Sequence, residues 1–178
     1  MFIYLIAFFW GFAEATLFFI IPDVWISILA LQNGREALIA CLYTLAGAMV
    51  GGLIMYYVGK ENVQKINKLL DKIPAISSKD IETVRSDLTR SGVKAVLTGP
   101  PQGIPYKIYA SNAHSAMSIY AFLLISIPAR VIRFIIVAVM TTFLSERFMP
   151  ALSTPNKIWA IMILWTIFYT VYFIVKRH

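Results

Sequence analysis

The chain has 178 residues, 59% of them hydrophobic, with 16 Lys and Arg against 9 Asp and Glu and a mean hydropathy of +0.73. A soluble domain is nearer half apolar, so the composition excludes an aqueous globular protein and predicts a single membrane domain over 1–178. The lone Cys41 excludes an intramolecular disulfide and a cysteine-based metal site.

Residues 1–31 carry only Glu14 and Asp23 as charges. They lack a basic start and a small-residue cleavage site, so they read as membrane structure rather than a leader. Pro22-Asp23 interrupts the run. Two half-helices around that break predict a first re-entrant hairpin over 1–32; one long kinked span is the alternative. Residues 37–58 are uncharged and predict a transmembrane helix over 35–60. Within it, Gly47 and Gly51 form a G-x-x-x-G step that lets another helix approach closely, with Gly59 further on. Tyr56 is expected at the membrane interface. Pro22, Gly47, Gly51, Tyr56 and Gly59 are thus the expected packing residues.

Residues 60–94 hold eight Lys and Arg against five acids. The positive-inside rule makes 61–90 a cytoplasmic amphipathic loop, touching anionic lipid heads, and puts the basic tail Lys176-Arg177 on the same side. The interleaved acids argue against nucleic acid as a partner.

Next comes TGPPQGIPYK, in which five of the seven residues 99–105 are Gly or Pro. Neither helix nor strand survives that density. It predicts the tip of a second re-entrant hairpin over 91–114, entering from the cytoplasm, with Pro101, Gly103 and Pro105 shaping the tip and Lys107 beside it. An ordinary interfacial loop is the alternative. Transmembrane helices over 116–146 and 156–176 complete the chain. The expected fold is an all-α polytopic membrane protein with two inverted repeats, each a re-entrant helical hairpin plus a transmembrane helix, followed by a C-terminal transmembrane helix. Secondary transporters share this plan and place their sites at broken helices near the midplane.

Arg130 and Arg133 lie three apart in an apolar run, and so on one helix face. An Arg at a helix centre costs at least roughly 2.5–3.5 kcal/mol on insertion scales, so both need buried anionic partners. Glu14 and Asp23 are the candidates and the expected proton-coupling residues. Asp23 also suits a helix N-terminus as a cap. With Lys107 the cations exceed the two acids. A surplus of buried cations suits an anionic ligand, and Arg offers the bidentate fork that phosphate favours. Lys107, Arg130 and Arg133, with Pro101, Gly103 and Pro105, form the expected substrate site. A phosphate on a lipid tail fits the apolar surround, and a soluble anion satisfies the charge balance equally.

Three blocks resemble the DedA family within the broader VTT-domain membrane proteins. They are Glu14 with Pro22-Asp23; Gly47, Gly51, Tyr56 and Gly59-Lys60; and GPPQGIPYKIYASNA. The IPYK version and the Arg130/Arg133 pair are similar to the YqaA-like branch. Gly99 and Lys107 stand where main-branch members carry Arg, and Ser111-Asn112-Ala113 lacks a Gly. The resemblance implies two opposed re-entrant hairpins. It also implies proton-motive-force-dependent transport, in some members with a role in undecaprenyl-phosphate recycling, and in eukaryotic relatives phospholipid scrambling.

The expected function is translocation of lipids or lipid phosphates across the cytoplasmic membrane, with proton coupling as an option and membrane lipids as partners. A homo-oligomer is left open. A carrier of an ion or small anion is the alternative. A lipid-phosphate enzyme would need a nucleophile, metal or base, and His114 has no second His or Asp cluster beside it, so no enzyme, metal or cofactor is expected. A scaffold would explain the small-residue helix faces but not the mid-membrane Arg residues.

Overall fold

The computed structural model describes residues 1–74 and 76–176; the side chain of Pro101 and the expected tail residue Arg177 lie outside that set. Among the described residues the regular structure is entirely helical.

Helix α1, Phe2–Thr16, contains no proline and ends before the run that leads into Pro22. A proline pushes the residue before it out of the helical region. Helix α2, Asp23–Gln32, begins right after Pro22, with Asp23 in its first turn. Between them the chain turns back: the Trp10 indole N–H donates to the Ile20 carbonyl at 3.0 Å, and that of Trp25 to the Ile3 carbonyl at 3.2 Å. The chain therefore folds back on α1 instead of continuing as one kinked rod. Phe18 lies beyond the helix, in the irregular segment 17–22.

Helix α3, Gly34–Leu70, starts on Asn33, whose Oδ1 accepts from the N–H groups of Arg35 and Glu36 at 3.0 and 3.4 Å. It runs ten residues past the predicted end at 60. Asn62 leaves the helical region (φ −155°, ψ 82°) and its Oδ1 accepts from Lys65 N–H at 2.9 Å, so the helix bends and restarts. Helix α4, Ser78–Ser91, opens on a capping box between Ser77 and Asp80 and stops at Gly92, whose φ is 52°. The expected loop 61–90 is thus mostly helix, because its polar residues keep an apolar stripe: Ile66, Leu70, Ile81, Val84 and Leu88 are buried.

Helix α5, Val93–Thr98, leads into a 3₁₀ turn over Pro100–Gln102. Gly103 then reverses the chain at φ 87°, and α6, Tyr106–Asn112, follows. Helix α7, Ile119–Phe148, is capped by Ser118 and continues through Pro128; α8, Thr154–Lys176, closes the chain. Helices α3, α7 and α8 are long and apolar enough to cross a membrane. Helix α8 buries none of its residues and exposes Trp159, Ile163, Ile167 and Val171, as a lipid-facing helix does.

Close packing sets the register. Gly47 lies against the backbone of Phe8, Gly51 against Phe12 and Ala15, and the Tyr4 and Tyr43 rings stack 5.2 Å apart. Helices α1 and α3 therefore run in parallel. Gly52 faces Tyr106 and Gly59 the backbone of Ser111, so α6 also follows α3. Phe122 stacks on Tyr56 at 5.8 Å while Thr142 reaches the Ala30 carbonyl at 3.3 Å, so α7 runs the opposite way. Tyr56 is 6% exposed and donates to the Met117 carbonyl at 2.8 Å, so it packs within the core.

At the far end, Lys176 reaches Asp80 at 2.8 Å and ties α8 to the start of α4. Burial raises the Asp80 carboxyl, but hydrogen bonds from Lys176 and from the Ser77 hydroxyl and N–H outweigh it and hold it below its ordinary 3.8. A carboxyl whose folded pKa is depressed adds stability above its unfolded pKa, and loses it as pH falls below 3.8 through the lower folded value. Asp80→Asn should thus cost about 1 kcal/mol or less at neutral pH, and the deficit should vanish in strong acid. Unfolding of the detergent-solubilised protein at both pH values checks this; a deficit independent of pH would refute it.

Candidate functional site

Two apolar clusters make the interior. One gathers Met55, Tyr56, Leu70, Val84, Leu88, Tyr109 and Phe122; the other gathers Ala7, Ile26, Leu29, Ala37, Cys41 and Phe134. Along α7, Phe122 belongs to the first and Phe134 to the second, with Arg130 between them. The charged residues form a layer between the clusters.

Four helices supply that layer. Helix α1 presents Glu14 in its last turn, next to the small residues Gly11 and Ala15 that press it against α3. Arg130 of α7 pairs with Glu14 through Nη2 and Oε2, and both are buried. The Arg130 guanidinium also lies over the Tyr106 ring of α6, 4.3 Å from its centroid. One turn on, Arg133 Nε stands 3.4 Å from Asp23 Oδ2. Asp23 makes no side-chain cap on α2, and its carboxylate faces Arg133 instead. Lone charges in this layer would cost several kcal/mol each, and pairing removes much of that cost.

Among the described residues the third cation pairs with no acid. Lys107, in the first turn of α6, donates through Nζ to the Phe18 carbonyl at 2.5 Å. The irregular segment 17–22 leaves that carbonyl free to accept. Three cations against two acids leave the layer with a formal surplus of one positive charge.

A cavity of about 190 Å³ opens onto this layer. Glu14, Lys107 and Arg133 line it, with Gly103 and Pro105 from the glycine- and proline-rich turn and Tyr106 behind them. Arg133 has 35% of its side chain exposed, against 4% for Arg130, so Arg133 is the arginine available to a ligand. Its Nε and Nη2 have no hydrogen-bond partner among the described residues, and neither does Asp23 Oδ1. Buried polar atoms left unpartnered in this way are uncommon and set the layer apart from ordinary core. Arg130 and Asp23 stand behind the cavity and hold its lining residues in place. Pro101, expected at the tip, has its side chain outside the described set.

Sequence reasoning missed the aromatic wall. Phe168, Tyr169, Tyr172 and Phe173 of α8 close the cavity on one side, and the Tyr169 hydroxyl accepts from Ile21 N–H at 2.8 Å. The signal was present in FYTVYF, whose aromatics recur at one-turn spacing. Tyr106 was also missed, although it sits between the IP and K of the quoted block.

His114 lies apart from the cavity, its Nδ1 3.1 Å from the Ser111 carbonyl and its ring against Tyr56. No group of three or more His, Cys, Asp and Glu close enough to hold a metal ion occurs among the described residues.

No family model matches the chain. A protein of Haemophilus influenzae described as uncharacterized is 27% identical over 172 residues, which cover 94% of this chain and 86% of that protein. No solved structure matches.

Proposed function

We propose that this chain is a membrane transporter of the DedA/VTT type that moves phosphate-bearing lipids across the bilayer. One observation carries the reading: a cavity presenting Lys107 and Arg133 lies among helices apolar enough to span a membrane, behind an aromatic wall. A phosphate oxygen would receive charge-assisted hydrogen bonds from both cations. The exposed apolar surface of α8 beside it suits a lipid.

Inverted repeats are part of the proposal. The first repeat is α1, α2 and α3; the second is α5, α6 and α7. In support, α1 lies along α3 as α5 lies along α7, and α2 packs on α7 as α6 packs on α3. On this plan the segment 17–22 and the turn around Gly103 are re-entrant tips entering from opposite faces. Irregular backbone at membrane depth is tolerated where it lines a polar cavity. The basic stretch around α4 then faces the cytoplasm. Glu14, buried against Arg130 and lining the cavity, is the group to exchange a proton if transport is coupled.

The size of the cavity favours a second reading, a carrier of a small anion, because about 190 Å³ holds a head and no long chain. Proteoliposomes separate the two. Fluorescent phospholipid and polyprenyl phosphate should be tested in parallel, with and without a pH gradient. Movement of polyprenyl phosphate only under the gradient means a proton-coupled carrier; movement of both without it means a scramblase. Phosphate flux with no lipid movement would overturn the lipid reading. Lys107→Gln should slow lipid movement about tenfold or more, the worth of one charge-assisted hydrogen bond.

A further inference from the structure

A second recess adjoins the cavity. It is a groove of about 620 Å³, lined by apolar side chains that include Leu5, Phe9, Trp10, Ala13, Phe18 and Ile20. The irregular segment 17–22 is a wall of both spaces: Phe18 and Ile20 face the groove, while Phe19 and Ile21 face the cavity. That alternation is what a non-helical stretch gives, with successive side chains on opposite sides.

Three side chains from three helices hold this wall. Trp10 of α1 donates to the Ile20 carbonyl at 3.0 Å, Lys107 of α6 donates to the Phe18 carbonyl at 2.5 Å, and Tyr169 of α8 accepts from Ile21 N–H at 2.8 Å. Lys107 both lines the cavity and fastens the wall. An ammonium gains more from a charged oxygen than from a neutral carbonyl. An anion entering the cavity therefore competes for the group that keeps the wall closed.

We infer that the groove holds the hydrocarbon chain of the lipid whose phosphate occupies the cavity, and that the wall at 17–22 yields when that phosphate takes Lys107 from the Phe18 carbonyl. The inference rests on the cavity being an anion site. Its occupant follows from the shared wall: the cationic space is too small for a chain, and the adjoining space has no polar side-chain group free to hold a head. The bond from Trp10 to Ile20 and that from Tyr169 to Ile21 keep the segment anchored beyond the released carbonyl, so its Phe18 end is the part that moves.

The test is photolabelling in proteoliposomes. Two phosphate probes, polyprenyl phosphate and phosphatidic acid, carry a diazirine in the chain. Their neutral counterparts, polyprenol and diacylglycerol, carry the same group. Phosphate probes should label Phe9, Trp10 and Phe18 about tenfold or more above the neutral ones, the selectivity one charge-assisted contact provides. Preference between the two phosphate probes identifies the lipid. Lys107→Gln should abolish the difference. Ala13→Phe, which fills the groove and leaves the cavity untouched, should remove the labelling from properly folded protein. Equal labelling by charged and neutral probes would mean ordinary contact with bulk lipid and overturn the inference, as would labelling unchanged by Ala13→Phe. Head-dependent labelling without lipid movement would instead remove the transport reading and leave the groove standing.

Discussion

Arg130→Ala is expected to destabilise the fold by about 3–5 kcal/mol, the cost of breaking a buried ion pair from one side. The pair lies between two apolar clusters, and among the described residues Glu14 has no other hydrogen-bonding partner to fall back on. Arg133 and Lys107 are near enough to line the same cavity, but they are engaged with Asp23 and the Phe18 carbonyl. The variant also vacates the space between Tyr106 and Phe134, whose rings lie 4.3 and 5.4 Å from the guanidinium carbon. Glu14→Gln should cost less, since an amide can still accept a hydrogen bond from Arg130. Combining Glu14→Gln with Arg130→Ala should be less damaging than the sum of the two, because the uncompensated charge is gone. Thermal unfolding in detergent measures this coupling. An Arg130→Ala protein as stable as the wild type, or strictly additive losses, would show that the pair does not hold α1 to α7. Activity adds a separate reading: if Glu14 exchanges a proton, the double variant regains stability without regaining gradient-driven transport.

How far this layer was legible in the sequence follows from what spacing encodes. A separation of three residues places Arg130 and Arg133 on one face of α7, and their burial in an apolar run demands anionic partners. Spacing does not say which acid meets which arginine. That depends on the depth at which α1 stops, and Glu14 is level with Arg130 because Gly11, Gly47 and Gly51 fix the register of α1 on α3. The breaks at Pro22 and around Gly103 were legible because backbone chemistry is local. Helix ends were less so. The extension of α3 to Leu70 depends on Asn62 recapping the chain, and a polar sequence carrying a capping Asn reads equally well as a loop. The aromatic wall of α8 was hidden for another reason. Within a uniformly apolar helix, a ring that faces lipid and a ring that closes a cavity have the same composition, and only the fold tells them apart.

Gly47→Ala is expected to destabilise the protein by about 1–3 kcal/mol, the range for forcing a methyl group into a packed contact. A Cβ at this position would collide with the carbonyl of Phe8 and approach Phe12 N at 3.0 Å. These are backbone atoms of α1, which cannot turn aside as a side chain can, so the whole helix must shift. Gly103 offers the contrast. Nothing lies within 4 Å of its missing side chain, but its φ of 87° belongs to the left-handed region. Gly103→Ala should cost about 1 kcal/mol through the backbone alone. The two losses should differ in their consequence for the charged layer. A shift of α1 moves Glu14 relative to Arg130 and Phe18 relative to Lys107, because α1 carries the first and leads directly into the second. Gly47→Ala should therefore reduce lipid movement although it touches no residue of the cavity, and a compensating Phe8 variant should not restore it, since the obstacle is a main-chain carbonyl. Unfolding and transport measured on the same preparations decide the matter. A Gly47→Ala protein that keeps both would mean that α1 slides freely on α3, and the register that brings Glu14 to Arg130 would need another cause.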